Sequence, residues 1–101
     1  MSAWVSCAQA QSCPADLSNL LDQVQTPELR DLASTPLDTI ISRSGGIDQA
    51  ISLTQTAVDH LTTLHANPGN ATDPTTLAYI NEAYLVETAE LHALQCRKNG
   101  G

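Results

Sequence analysis

Apolar residues recur along this chain at the three- and four-residue spacing of helices, and prolines punctuate them. Ile47, Ile51, Thr54, Val58, Leu61 and His65 form a stripe, flanked by Ala50, Ala57 and Leu64. Its spacings alternate four and three, the seam spacing of helix bundles, and predict a helix over Ile47–His65. Leu77, Ile80, Tyr84, Leu91 and Leu94 form a second stripe, interrupted at Thr88, and predict a helix over Pro74–Lys98. Glu82, Glu87 and Glu90 are expected mainly off that stripe. Leu85 and Val86 also fall off it, so this helix is apolar on more than one side. Either the shorter helices cover that second face or another molecule does.

The two long segments are joined by Asn67-Pro68-Gly69-Asn70-Ala71-Thr72-Asp73-Pro74. Proline removes an amide donor and biases the residue before it away from the helical region, so this stretch stops one helix. Thr72 and Asp73 each offer a side-chain acceptor for the next N-terminus, and Pro74 suits the first helical position. Arg97 and Lys98 sit in the last turn, where cations complement the helix dipole.

Upstream, Ser12-Cys13-Pro14 opens a segment with Leu17, Leu20, Leu21 and Val24 on one face of an expected amphipathic helix. Thr26-Pro27 opens a short second one, bearing Leu29, Leu32 and Ala33. Thr35-Pro36 opens a third, with Leu37, Ile40 and Ile41, and Asp38 beside Thr35 reads as a near capping box. Gly45-Gly46 ends it, glycine being the usual C-terminal cap. No period-two run is long enough for a strand. The fold class is therefore all-α: an antiparallel hairpin of residues 47–65 and 74–98, with two or three short N-terminal helices packed on it. Residues 1–12, polar and small, read as a flexible tail, and residues 13–101 as a single helical domain.

Composition narrows this further. A chain of 101 residues with no Phe, one Trp and two Tyr must build its core from aliphatic side chains. That favours helix packing over a β-sandwich. Such a chain buries only about two-thirds of its unfolded surface, so the core is modest. Four basic residues face eleven acidic ones, a formal charge of −7. The cations form no cluster beyond Arg97-Lys98, so nucleic-acid binding is not expected, and an anionic membrane surface would repel the chain. No run approaches the ~20 apolar residues of a membrane span, and no secretory signal is expected. Cys7, Cys13 and Cys96 are an odd set without a Cys-x-x-Cys pair. Free thiols in a reducing compartment are the expectation, with one bridge, such as Cys13–Cys96 across the chain ends, as the alternative.

Candidate chemistry is sparse. His60 and His65 are five positions apart, about 140° around a helix, not the spacing of paired ligands. His92 follows Glu90 by two and makes no Glu-x-x-His pair. Cys96 lies at the negative end of a helix and Cys13 has no His or Asn beside it in sequence, so neither reads as a nucleophile. Gly45-Gly46 lacks the pattern of a phosphate loop. No catalytic residue, metal or cofactor is expected. Tyr84 reads as core. Tyr79, Leu85 and Val86 are the candidate interface residues, and Asn67, Pro68, Thr72, Asp73 and Pro74 the structural turn and cap.

The stretch Leu61–Gln95 resembles the helix–turn–helix of type III secretion needle and inner-rod subunits. The residues that carry the likeness are Asn67, Pro68, Asp73, Pro74, Leu77 and Ala78, with Asn81 where that family tends to have Gln. About a third of the chain is covered. The three cysteines and the proline-punctuated segments before Ile47 have no counterpart in it. The resemblance implies a subunit made in the cytoplasm, exported to a secretion apparatus and assembled by self-association. The residues themselves imply a non-enzymatic protein that works by protein–protein contact. A small acidic helical binder that engages a basic partner is the alternative to a rod- or needle-like subunit.

Overall fold

Prolines and glycines set the element boundaries. The computed structural model describes residues 13–67 and 73–100, all of whose regular elements are helical. A 3₁₀ turn, Ser18–Gln23, is followed by α1 (Pro27–Ser34), α2 (Leu37–Ser44), α3 (Ile47–Ala66) and α4 (Pro74–Asn99). The all-α expectation holds, with α3 and α4 forming the principal interface. The tail expected over residues 1–12 lies outside the described residues.

The segment after Pro14 departs from expectation. It is not an α-helix opening at Pro14 but a 3₁₀ turn that starts four residues later. Asp16 Oδ1 accepts from the Ser18 amide at 3.1 Å and the Ser18 hydroxyl at 2.8 Å, an Asx-type turn that competes with helix. The backbone there is committed elsewhere: the Leu17 amide donates to Ala33 O and the Leu37 amide to Ala15 O. Those bonds hold residues 15–17 against the junction of α1 and α2.

At the start of α2 the capping box does not form. Pro36 occupies the cap, and the Thr35 hydroxyl donates back to Asp31 O at 2.8 Å. At its end the glycine pair acts as expected. Gly45 has φ +97°, its amide donates to Ser42 O, and the Gly46 amide reaches Ile41 O at 2.9 Å. These are the two bonds of a Schellman motif.

The core is aliphatic and continuous. Leu17 and Val24 flank the 3₁₀ turn, Leu29 and Ala33 come from α1, Leu37 from α2 and Ala50 from α3. α4 contributes Ala83, Val86, Ala93 and Leu94, and so runs through the middle of the molecule. That location explains why its sequence is apolar on more than one side. α3 covers one face and the N-terminal elements cover another. Val86 is 0% exposed, so the second apolar face is closed from within at that point.

Glu90 corrects another expectation. It is 4% exposed and lies in the α3–α4 seam, where its Oε2 accepts from the Thr54 hydroxyl at 2.9 Å. The chain ends are also tied together. Cys13 and Cys96 form a disulfide, with Cα atoms 5.8 Å apart and a sequence separation of 83. The expectation of free thiols therefore fails for these two, and the bridge held as the alternative is present.

Candidate protein-contact surface

The three interface candidates on α4 go to different places. Tyr79 is 45% exposed, Leu85 is half-buried and Val86 is core. Val86 is removed from the candidate surface, because an apolar side chain with no accessible area cannot meet a partner without unfolding. The structure adds one residue that periodicity did not single out: Leu53, on the outer side of α3, is 59% exposed.

Tyr79 stands in an open cleft of about 480 Å³ between the start of α4 and the start of α1. Pro74, Ala78 and Glu82 line one side, and Gln25 and Thr26 the other. Helix spacing explains the α4 side: 74, 78 and 82 recur every four residues and share a face. Glu82 fixes the other side. Its Oε1 accepts from the Gln25 and Thr26 amides, each at 3.0 Å, so a carboxylate from α4 caps the N-terminus of α1. These amides, the Thr26 amide foremost, hold the Glu82 carboxyl below its usual range. By helical spacing alone Glu82 is an off-stripe residue. No local pattern marks it, because its partners lie 56 and 57 positions away.

The turn residues divide at the edge of the described region. The Asn67 amide closes the end of α3 on Thr63 O at 2.9 Å. Asp73 is the cap of α4: its Oδ2 accepts from the Thr76 amide at 3.0 Å, and Pro74 takes the first helical position. Pro68 and Thr72 lie outside the described residues.

The charge around this surface is unbalanced. Arg97 pairs with Asp38, and Lys98 with Asp48 at 2.6 Å, tying the last turn of α4 to the starts of α2 and α3. Arg30 Nη1 donates to the Leu21 and Val24 carbonyls at 2.8 Å each. Three of the four basic side chains are thus engaged within the molecule, and Arg43 is exposed near the end of α2. Asp22, Glu28 and Asp31 are exposed carboxylates on and just before α1, with Glu28 in its first turn, two residues after Thr26.

The histidines lie apart. His60 is exposed on α3, and His65 stacks on Tyr84 with ring centroids 4.8 Å apart. His92 is exposed beside a second cleft of about 360 Å³, bounded by Pro14, Leu17, Leu20 and Ala93. Among the described residues no group of three or more His, Cys, Asp and Glu could hold a metal ion, and no helix is long and apolar enough to cross a membrane.

No family model matches the chain, and neither the curated proteins nor the solved structures contain a match to it. The resemblance to secretion subunits therefore rests on the residues quoted for it.

Proposed function

We propose that this is a non-enzymatic helical module that acts by protein–protein contact, and that its partner presents a basic surface to the Tyr79 cleft. The observation that carries the reading is the exposure of Tyr79 at a cleft whose one charged lining residue is the carboxylate Glu82. An exposed tyrosine supplies a large amphipathic contact at low entropic cost, and tyrosine is enriched where binding energy concentrates. Glu82 in the cleft and Glu28 near it supply the charge that would steer and orient a cationic partner.

The rod- or needle-like reading has support of its own in the hairpin and its Asp73-Pro74 restart. Self-assembly through a second apolar face of α4 would need that face uncovered, however, and Val86 is covered within the chain. That favours the acidic binder over the self-assembling subunit.

Paired affinity capture from extracts of the native host tests the proposal, with the wild type and Tyr79→Ser as baits and mass spectrometry as the readout. The expected result is a basic protein held by the wild type, released by moderate salt and lost from the variant. Identical retention by both baits would refute a contact centred on Tyr79.

A further inference from the structure

The α3–α4 seam contains a carboxyl that the contact surface does not use. Glu90 is buried with Oε2 bonded to Thr54, and its Oε1 has no hydrogen-bond partner. The Thr88 hydroxyl, two residues earlier, is the other buried side-chain oxygen without a partner among the described residues. Glu87 lies one turn before Glu90, at the spacing that makes helix residues neighbours. Two carboxyls thus share one partly dry stretch of α4, and one of them lies in the main helix interface.

Among the described residues no cation is paired with them. On α3, Asp48 is paired with Lys98 and Asp59 accepts from Gln55, while His60 is exposed and His65 stacks on Tyr84. On α1, Arg30 is committed to the Leu21 and Val24 carbonyls, and Glu28 and Asp31 are exposed. On α2, Asp38 is paired with Arg97, and Arg43 is exposed. The Thr54 hydroxyl is the donor that reaches Glu90 among the described residues.

We propose that Glu90, Glu87 and the Thr54 hydroxyl make the α3–α4 seam a pH-sensitive latch, closed in mildly acidic solution and loosened above neutrality. The inference goes beyond the contact surface and does not rest on it. A neutral carboxylic acid can stay buried in the seam. A carboxylate there must recover water or a donor, because burying an uncompensated charge is costly. Its nearest route to water is separation of α3 from α4.

The direction follows from linkage. Burial, and then the charge of Glu90, push Glu87 up to about 7. Burial also raises Glu90, opposed by the hydrogen bond from Thr54. A carboxyl with a raised folded-state pKa keeps its proton where the unfolded chain has lost it. The stabilisation is complete below the ordinary carboxylate range and disappears as pH rises through about 7.

Thermal unfolding of the full chain between about pH 5 and about pH 8 tests this. The wild-type Tm is expected to fall by several degrees over that range. Glu87→Gln/Glu90→Gln should flatten the slope. Glu28→Gln/Asp31→Asn removes the same formal charge from exposed positions and should leave the slope intact. A flat or rising wild-type profile overturns the proposal, and so does equal flattening by the exposed control. Carboxyl-carbon NMR titration of the wild type decides independently, even if the double variant does not fold. Two of the four glutamates should titrate above the ordinary carboxylate range. Ordinary titration of all four overturns the latch.

Discussion

Thr54 and Glu90 join the two long helices from the inside. The Thr54 hydroxyl donates to Glu90 Oε2 at 2.9 Å, and both side chains are almost without solvent contact. This polar bond joins the same two helices as the His65–Tyr84 stack. Thr54→Val keeps the shape and removes the donor, leaving a buried carboxyl unpartnered at both oxygens. The expected loss is about 1–3 kcal/mol near neutral pH. It should shrink toward about pH 5, because burial raises the Glu90 pKa and a protonated acid depends less on the hydroxyl. Urea unfolding of the variant at the two pH values checks this, and an equal loss at both would contradict it.

Leu94 is 0% exposed on α4, whereas Leu61 on α3 is only partly buried. Leu94→Ala should cost about 2–5 kcal/mol, and Leu61→Ala clearly less. Chemical denaturation gives both numbers. A reversed order would mean that the centre of the core lies nearer the end of the hairpin where α3 finishes and α4 begins.

Asp73 accepts from both the amide and the hydroxyl of Thr76. Asp73→Ala should destabilise the protein by about 1 kcal/mol. Loss of amide-exchange protection should be confined to the first turn of α4. Protection lost along the whole of α4 would mean that the cap nucleates the helix rather than trimming its end.

The Cys13–Cys96 bridge closes nearly the whole chain into one loop. Loop-closure entropy for a ring of that size gives about 4.5 kcal/mol. Cys13→Ser/Cys96→Ser should therefore lower the urea midpoint substantially while the helical circular-dichroism signal persists at zero denaturant. An unchanged midpoint would show that the bonds of Ala15 and Leu17 to the α1–α2 junction hold the N-terminal segment unaided.

The parts legible in the sequence are those set by local chemistry. Pro27, Pro74 and the Gly45-Gly46 pair fix boundaries through backbone geometry alone, and the elements begin and end there. Helical periodicity picked out α3 and α4 because a one-sided apolar stripe is a local property. What escaped depends on distant partners. Glu90 and Glu82 look like solvated carboxylates in sequence, and only the docking of Thr54 and of the Gln25–Thr26 amides gives them places inside the structure. The turn at Ser18–Gln23 reads as α-helix by its leucine spacing. Its backbone is claimed by Ala33 O and by the Asp16 side chain. Of the candidate surface, the exposure of Tyr79 was legible. The burial of Val86 depends on where α1 and the 3₁₀ turn settle.

The proposed contact at Tyr79 implies a finished surface that binds a partner rather than a block that polymerises, since Val86 on α4 is covered within the chain. Sedimentation velocity across a wide concentration range, with the disulfide intact, tests it most directly. One small species is expected, a monomer or a dimer of the 10.7 kDa chain, unchanged as concentration rises. A sedimentation coefficient that climbs with concentration toward open-ended polymers would contradict it.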